Sequence, residues 1–467
     1  MADFEKKEHN HHHVTVGQAL KSVTSLKSAR ESAVGGPPDS YIAADVFGDE
    51  EGAQIKYRTL GWQFVSFFMI AEIVSNGMLS LPSSLAVVGI VPGVILIAFL
   101  GIFATYTAVL LIDFKLNHPE VHNMGDAGML IFGPIGREIL SFGTIVFAIC
   151  AAGSELLSGQ QALSTLSNQG LCAVDLVIIF TAASFLLALP RTLDRLSWLG
   201  LASFVTIFIA GVVAMIGAGQ SAVPGRVISA TISGDFYTSF LSITNPVFAY
   251  AGHFMFFPLV SEMHTPRDAY KSAYFLQGFA TIFYIIFAVV CYCYIGNTVA
   301  SPVLFSLNEV WSKASFGIGL ANFLVAAGLY SHTAAKLLFI RFFRGSRHLH
   351  EHTVWGWFWW VALVLLANVI ACIFSIAVPV FSYIIGITAA LFASWYTYGI
   401  AGFFWLFDTY HQGGGSRQAW YRQPIRFAIA LFTILSGAFI CVAGIYVSVK
   451  LIVVSYQEGL IGKPFTC

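Results

Sequence analysis

A glutamate and a small polar cluster interrupt a long apolar segment near the start of the chain. The segment runs from Gly61 to Val91 and contains the stretch "AEIVSNGMLSLP" at 71–82. A segment of this length can cross about 30 Å of hydrocarbon. There a charged side chain costs at least about 2.5 kcal/mol on insertion scales, and a broken backbone hydrogen bond finds no water. Glu72, the triplet Ser75-Asn76-Gly77 and Pro82 therefore predict a functional site inside a membrane-spanning helix.

A second apolar segment, five spans later, carries the same kind of interruption. The stretch "NPVFAYAGHFMFFP" (245–258) combines prolines, a glycine and polar groups. Single glycines and prolines are ordinary in membrane helices, where glycine can simply let neighbours pack closely. Two breaks at equivalent positions instead indicate a transporter built from inverted repeats. We predict that helices 1 and 6 unwind near Asn76 and Ala251 and face each other.

Broken helices can bind a zwitterion without charged side chains. Free amides at a helix N-terminus attract an anion, and free carbonyls at a helix C-terminus attract a cation. Phe248 or Tyr250 could close over a ligand, or their rings could merely pack. The predicted substrate contacts are Ser75, Asn76, Gly77 and Met78 on helix 1 and Phe248, Ala249, Tyr250 and Gly252 on helix 6.

Four buried titratable residues are the predicted coupling groups. A carboxyl group in a low dielectric favours its neutral form, so Glu72 and Glu155 could take up and release a proton. His253 and His332 could titrate as well, or could be hydrogen-bonded structural residues. The rival coupling ion is sodium, bound by the hydroxyls of Ser331 and Thr333 and carbonyls near Ala71. No other metal ion and no cofactor is predicted.

The composition indicates a polytopic membrane protein. Of the 467 residues, 57% are hydrophobic and 10% are charged, against about 25% charged residues in soluble domains. The formal net charge is zero, which gives no reason to expect nucleic acid as a partner. The stretch "GPIGRE" (133–138) is not a phosphate loop, and HExxH and GxSxG motifs are absent from the sequence. An enzyme is therefore not expected.

The apolar pattern predicts an all-α protein with eleven transmembrane helices. Because five spans is an odd number, spans six to ten begin on the opposite side and form an inverted second half. We predict repeat one over about 61–219, repeat two over about 238–407 and an extra helix over about 425–455. A disordered cytoplasmic tail is predicted over 1–58, the transporter domain over 59–456 and a short extracellular tail over 457–467. The predicted spans are 61–88, 91–114, 134–163, 172–190, 197–219, 238–262, 271–296, 315–341, 354–376, 379–407 and 425–455.

Basic residues predict the orientation of these spans. With the N-terminus inside, the short inner loops contain thirteen lysines and arginines, whereas the outer loops contain only Arg226 and Lys313. Because inner loops are enriched in basic residues, we predict a cytoplasmic N-terminus, an extracellular C-terminus and a place in the plasma membrane. The thirteen are Lys115, Arg137, Arg191, Arg195, Arg267, Lys271, Lys336, Arg341, Arg344, Arg347, Arg417, Arg422 and Arg426.

The residues around both breaks resemble a known family. "MIAEIVSNGMLSLPSSLAVVGIVPG", followed by "FATYTAVLL", and later "FAYAGHFMFFPLVSEMHTPRDAYKS" are similar to the amino acid/auxin permease family, particularly fungal neutral amino acid permeases. The resemblance spans about 56–455. It implies an eleven-helix fold like that of the bacterial leucine transporter, and proton- or sodium-coupled amino acid uptake. "SNGMLSLP" departs from the more usual small-Gly-Ile-Leu-x-Leu-Pro pattern at Asn76 and Met78.

The scarcity of deep charge predicts the class of substrate. No lysine or arginine is expected deep in the central spans, and Glu72 and Glu155 are the two deep carboxyl groups. These features favour a symporter that imports neutral aliphatic or aromatic L-amino acids by alternating access around helices 1 and 6, driven by protons. The alternatives are a sodium-coupled symporter and a nutrient-sensing receptor on a transporter scaffold, which a long N-terminal signalling domain would favour.

Overall fold

The computed structural model describes residues 47, 55–192, 197–344, 346–378 and 380–458. Within them the chain forms helices and connecting loops, with one isolated parallel bridge between Leu60 and Met263. The longer helices are α1 (Trp62–Val88), α2 (Ile90–Asn117), α3 (Met124–Leu166), α4 (Ala173–Ala188), α5 (Ser197–Gln220), α6 (Phe236–Ala249), α7 (Phe256–Ser261), α8 (Ala269–Ile295), α9 (Glu309–Phe343), α10 (Val354–Ala377), α11 (Phe381–Gln412) and α12 (Pro424–Gln457).

The predicted all-helical membrane fold is confirmed. In the described part of the chain, nine helices are long and apolar enough to cross a membrane. The shorter α4 and the interrupted pair α6 and α7 occupy the other two predicted spans, although the exact count of eleven crossings stays a prediction. The observed limits lie within a few residues of most predicted ones. The exception is α3, which begins at Met124 and bends at Gly133 (φ 75°) before Pro134.

Two helices form the centre of the molecule. In α1 and α9, 89% and 83% of the most apolar stretch is buried inside the protein, against 22% in α12. The first helix packs against α5, α6 and α8, and α9 packs against α3 and α5. The appended α12 is therefore peripheral, and its exposed apolar side chains face lipid.

The prediction that helix 1 unwinds near Asn76 is wrong for this structure. Helix α1 is continuous from Trp62 to Val88, with Pro82 inside it. The polar side chains that suggested a break instead bond to α3: Ser75 donates to Glu155 at 2.7 Å, and Asn76 bonds Ser154 and Ser158. Because these groups are satisfied between helices, they do not require the α1 backbone to open.

The predicted break in helix 6 is present. Helix α6 ends at Ala249, residues 250–252 are non-helical, and a single 3₁₀ turn at His253–Met255 leads into α7. This break lies against the middle of α1. The two segments therefore face each other as predicted, although only one of them is interrupted.

The described end of the predicted N-terminal tail packs against the protein. Phe47, Ile55 and Tyr57 are buried in a hydrophobic cluster with Phe339 and Trp360. The Tyr57 ring stacks on Phe47 at a centroid distance of 4.4 Å, and its hydroxyl donates to the Leu349 carbonyl. The rest of the predicted tail, including the histidines at 11–13, and the chain after 458 lie outside the described residues.

Helix α11 changes its winding in the middle. A π-helical segment, Ala389–Gly399, lies between the α-helical parts Phe381–Thr388 and Ile400–Gln412. Gly437 of α12 packs so closely here that a Cβ atom on it would lie 2.7 Å from the Gly399 Cα. The wider winding thus coincides with the contact that attaches the appended helix.

A buried ion pair joins α9 to the end of α7. Lys336 Nζ lies 2.5 Å from Glu262 Oε1, and both side chains are at least 90% buried. The same ammonium lies 4.9 Å from the centre of the Tyr57 ring. The sequence predicts Lys336 in an inner loop and gives no role to Glu262, whereas the structure buries both side chains.

Replacing Gly77 with alanine should destabilise the protein. The new Cβ atom would lie 2.7 Å from the Ala249 Cα, so α1 and α6 must separate, and overpacking of this kind costs about 1–3 kcal/mol. The melting temperature of the purified protein measures the effect. Gly278→Ala is the matched control, because its Cβ atom meets nothing within 4 Å on α8. Equal melting temperatures for the two variants would contradict the close crossing.

Replacing Lys336 with methionine should also lower the melting temperature. Removing one partner of a buried ion pair typically costs about 3–5 kcal/mol, because the other charge stays buried. The double variant Lys336→Met/Glu262→Gln should recover much of this loss. Lys271→Met is the control, since Lys271 and Asp268 form an exposed pair at 2.8 Å worth at most about 1 kcal/mol. Similar losses for Lys336→Met and the control would disprove the expected role of the buried pair.

Candidate functional site

The candidate site lies where the middle of α1 meets the break between α6 and α7. Two glycines allow this contact: a Cβ atom on Gly77 would lie 2.7 Å from the Ala249 Cα, and one on Gly252 would lie 2.7 Å from the Ile73 Cγ2. The facing segments therefore touch along two successive turns. In this conformation the site is closed, and a ligand requires α1 and α6 to move apart.

Helix α3 lines the other side of α1 with hydrogen-bonding groups. Ser75 Oγ donates to Glu155 Oε2 at 2.7 Å, Asn76 Nδ2 donates to Ser154 Oγ at 3.2 Å, and Ser158 Oγ donates to Asn76 Oδ1 at 2.6 Å. Sequence reasoning identified Glu155 but missed Ser154 and Ser158. The sequence did contain a signal for them: Ser158 is three residues after Glu155 and four after Ser154, and residues at these spacings share a helix face.

Glu72 is the unusual group of the site. Its side chain is buried, with 3% exposed, and neither carboxyl oxygen has a hydrogen-bond partner among the described residues. It lies three residues before Ser75, whose hydroxyl donates to Glu155 Oε2 at 2.7 Å. A buried polar group without a partner calls for an explanation such as a functional role. Here a proton or a rearrangement of α1 could satisfy the carboxyl group.

Three backbone carbonyls of α1 accept hydrogen bonds from side chains of other helices. Asn322 Nδ2 donates to the Ala71 carbonyl at 2.9 Å, and the Tyr330 hydroxyl donates to the Glu72 carbonyl at 3.2 Å. The Tyr284 hydroxyl lies 2.8 Å from the Ile73 carbonyl and 2.7 Å from the Ala249 carbonyl. Sequence reasoning missed all three donors. Only Asn322, an amide within an apolar span, carried a signal.

Two predicted substrate contacts point away from the α1–α6 contact. The Tyr250 hydroxyl donates to the Ile97 carbonyl of α2 at 3.1 Å and lies 3.2 Å from Thr281 Oγ1 of α8. The Met78 methyl group lies beside Gly211 of α5. Tyr250 therefore packs in this conformation and does not close over the site. Phe248 is buried at the end of α6, next to the break, and its contact with a substrate stays a prediction.

The two candidate histidines lie in different places. His253 is within the break, and its Nε2 donates to the Ala104 carbonyl at 2.8 Å beside Thr107 Oγ1, while Nδ1 has no partner among the described residues. His332 instead faces α4 and α10, with Nδ1 3.3 Å from the Ala188 carbonyl and its ring against Trp360. Only His253 contributes to the candidate site.

The predicted sodium ligands are not gathered around one point. The Ala71 carbonyl accepts Asn322 Nδ2, so a nitrogen donor lies where a cation at this carbonyl would lie. Ser331 is nine residues beyond Asn322, or about 13 Å along the helix axis, and Thr333 Oγ1 donates to the Leu329 carbonyl. Among the described residues, no group of three or more His, Cys, Asp or Glu side chains could hold a metal ion.

Known proteins are similar to this chain in sequence and in fold. The family model "Transmembrane amino acid transporter protein" matches residues 58–450. The chain is 29% identical to the "Transmembrane transporter" of Gibberella moniliformis, over 93% of each chain. It is also 29% identical to the "N amino acid transport system protein" of Neurospora crassa, over 88% of this chain and 89% of the relative.

A solved structure supports the fold class. MhsT in complex with L-phenylalanine superposes with a TM-score of 0.57 at 12% identity, over 84% of this chain and all of the other. This similarity concerns the fold alone and confirms the architecture of the leucine-transporter type. The family match covers most of the chain and both segments of the candidate site. The chain thus belongs to the transmembrane amino acid transporter family.

Proposed function

We propose that this protein is a secondary transporter that imports neutral L-amino acids together with protons. Alternating access occurs around the contact between α1 and the α6–α7 break, where Ser75–Gly77 on one side and Phe248, Ala249 and Gly252 on the other surround the substrate. Membership of the amino acid transporter family supports the general activity. Glu72 is the single observation that supports the coupling: a buried carboxyl group without a hydrogen-bond partner, one turn before Ser75.

Proton binding gives Glu72 a physical role in the cycle. Two carboxylates near each other in a low dielectric are disfavoured as a doubly charged pair. Glu155 is already held by the Ser75 hydroxyl, so Glu72 is the better acceptor for a transported proton. Opening α1 toward water would change the surroundings of Glu72 directly, because it lies on the same helix face as Ser75 and Asn76.

The polar groups around the site favour a neutral substrate. Besides the two carboxyl groups, α1 and α3 present the hydroxyls of Ser75, Ser154 and Ser158 and the amide of Asn76. The buried Lys336 is engaged with Glu262 at the end of α7. An anionic side chain would lack a cation at the α1–α6 contact, and a cationic one would compete for the coupling carboxyl group.

The surroundings of Ala71 favour protons over sodium. A sodium ion prefers several oxygen ligands, and the first carbonyl of the predicted set receives the Asn322 amide instead. Ser331 lies about 13 Å along the α9 axis from Asn322, and the Thr333 hydroxyl already donates to the Leu329 carbonyl. The sodium-coupled alternative would require Asn322 to withdraw from this carbonyl.

The charged residues at one end of the bundle support the proposed orientation. Arg341 pairs with Glu138, Arg344 pairs with Asp126, and Arg191 donates to the carbonyl of His348. These pairs gather residues from separate inner loops at one end. Since inner loops are enriched in basic residues, the proposed N-terminus is cytoplasmic and the proposed C-terminus is extracellular. The proposed location is the plasma membrane.

Purified protein in liposomes should accumulate a labelled neutral amino acid when an inward proton gradient is imposed. L-leucine and L-phenylalanine are suitable probes, because the described residues at the α1–α6 contact offer no cation for an acidic side chain and the proposed mechanism reserves the carboxyl groups for coupling. Accumulation should be the same in sodium and in choline and should collapse with a protonophore. Neutral amino acids should compete, whereas lysine and glutamate should compete weakly. Accumulation that requires sodium would contradict proton coupling, and strong competition by lysine or glutamate would contradict the neutral class.

The variant Glu72→Gln should separate binding from accumulation. Glutamine mimics the protonated carboxyl group, so exchange of labelled for unlabelled substrate should persist, while gradient-driven accumulation should fall to the level of empty liposomes. The backbone groups at Ser75–Met78 remain in the variant. Both quantities are measured on the same preparation.

Glu138→Gln is the control for this comparison, since Glu138 is an exposed carboxyl group paired with Arg341. It should keep both exchange and accumulation. A purely structural Glu72 would behave differently, because expression, binding and exchange would then fall together. Full accumulation by Glu72→Gln would remove Glu72 from the coupling step and leave Glu155 or His253 as its carrier.

A further inference from the structure

We infer that Tyr284, Asn322 and Tyr330 are positioning residues that allow α1 to open at Ser75–Gly77 and bind the carboxylate of the substrate. The inference rests on the proposed function and deepens it. It assigns roles to three side chains of α8 and α9 that contact the backbone of α1 rather than the substrate.

The geometry singles out three consecutive hydrogen bonds of α1. In an α-helix the N–H of residue i bonds the carbonyl of residue i−4. The amides of Ser75, Asn76 and Gly77 are therefore the ordinary partners of the Ala71, Glu72 and Ile73 carbonyls. These are the same three carbonyls that also accept Asn322, Tyr330 and Tyr284, at 2.9, 3.2 and 2.8 Å.

A second donor changes what it costs to open this turn. Carbonyl oxygens have two lone pairs, so each of these groups can bond an amide and a side chain together. Opening a helix inside a membrane normally leaves carbonyls without partners, which is why it is rare. Here the Ala71 and Glu72 carbonyls would keep a donor, and the Ile73 carbonyl would share the single hydroxyl hydrogen of Tyr284 with the Ala249 carbonyl. The α1 backbone can thus open at this turn without leaving the Ala71 and Glu72 carbonyls unpaired.

The groups that would be released match an amino acid's carboxylate. Opening frees three adjacent N–H groups, and clustered backbone amides at a helix terminus bind anions. The Ser80 hydroxyl, which donates to the Gly77 carbonyl at 2.9 Å, belongs to α1 itself and is not anchored on a neighbouring helix. The donors from α8 and α9 reach the carbonyls of Ala71 to Ile73, so the opened segment runs from Ser75 to Gly77.

The same donors connect this turn to the break in the facing helix. The Tyr284 hydroxyl lies 2.7 Å from the Ala249 carbonyl as well as 2.8 Å from that of Ile73. Asn322 Nδ2 also donates to Ser203 Oγ of α5 at 2.8 Å. The carbonyls of this turn are thus bonded to side chains of α8 and α9, and through Asn322 they are connected to α5. The Ser75 and Asn76 side chains bond to α3, and Gly77 packs against α6.

Removing the donors should weaken substrate binding without a matching loss of stability. In Tyr330→Phe the Glu72 carbonyl keeps its amide in the closed helix but loses its only partner in the opened one. We expect the Kd for labelled L-leucine to rise about tenfold, which corresponds to about 1.4 kcal/mol, and Tyr284→Phe should act similarly. Both Kd and the melting temperature without substrate are measured on detergent-purified protein.

Tyr396→Phe is the matched control. Its buried hydroxyl donates to a helix carbonyl, that of Leu140 on α3, at 2.9 Å. It should show the same small change in melting temperature as Tyr330→Phe and an unchanged Kd. The double variant Tyr284→Phe/Tyr330→Phe should bind L-leucine about a hundredfold more weakly than the wild type, because each opened carbonyl loses its own donor.

Two results would overturn the inference while leaving the proposed function intact. One is an unchanged Kd in Tyr330→Phe and Tyr284→Phe. The other is a melting temperature that falls in these variants far more than in Tyr396→Phe with no selective change in Kd, since the phenols would then serve only to hold the helices together. Wild-type protein that binds and transports neither L-leucine nor L-phenylalanine would refute the proposed function itself, and the inference with it.

Discussion

The structure depends on one constraint: inside a bilayer, each backbone and polar group must find its partner within the protein. Helix α1 lies at the centre and carries Glu72, Ser75 and Asn76 where water is absent. Its polar side chains bond to α3, and three of its carbonyls bond to α8 and α9. The positions of these surrounding helices follow from the need to satisfy α1. On α1, Glu72 is the exception, because neither of its carboxyl oxygens has a hydrogen-bond partner among the described residues.

The same constraint explains why one polar segment breaks and its counterpart does not. In α1 the amides of Ser75–Gly77 keep their helical partners, because the side chains around them bond across to α3. In the sixth segment, Pro246 removes a backbone donor within α6, and the chain leaves the helix after Ala249. The open groups there have partners of their own: the Ala249 carbonyl has Tyr284, and His253 bonds the Ala104 carbonyl. Each segment therefore adopts the conformation that its neighbours can satisfy.

Two sets of buried ionisable side chains lie in different parts of the molecule, one at the α1–α6 contact and one at the end of α7. At the α1–α6 contact the described side chains include two carboxyl groups, Glu72 and Glu155. At the end of α7, Glu262 is instead neutralised by Lys336, whose ammonium also lies over Tyr57. Because an ion pair of this kind is costly to break when buried, it holds α7, α9 and the segment before α1 together.

The amino acid sequence by itself determined the membrane class, the helical fold and the approximate limits of the spans, because hydrophobic length is a local property of the chain. It also located the two candidate segments, whose close contact the structure shows, since polar residues inside an apolar run are costly wherever the run packs. Only the tertiary structure decided that α1 stays helical, because the partners Ser154 and Ser158 lie on another helix. The same holds for Asn322, Tyr284 and Tyr330, whose roles depend on which carbonyl they reach. Lys336 and Glu262 are separated by 74 residues, and the sequence places both near helix ends. They form a buried ion pair only because the helices pack together.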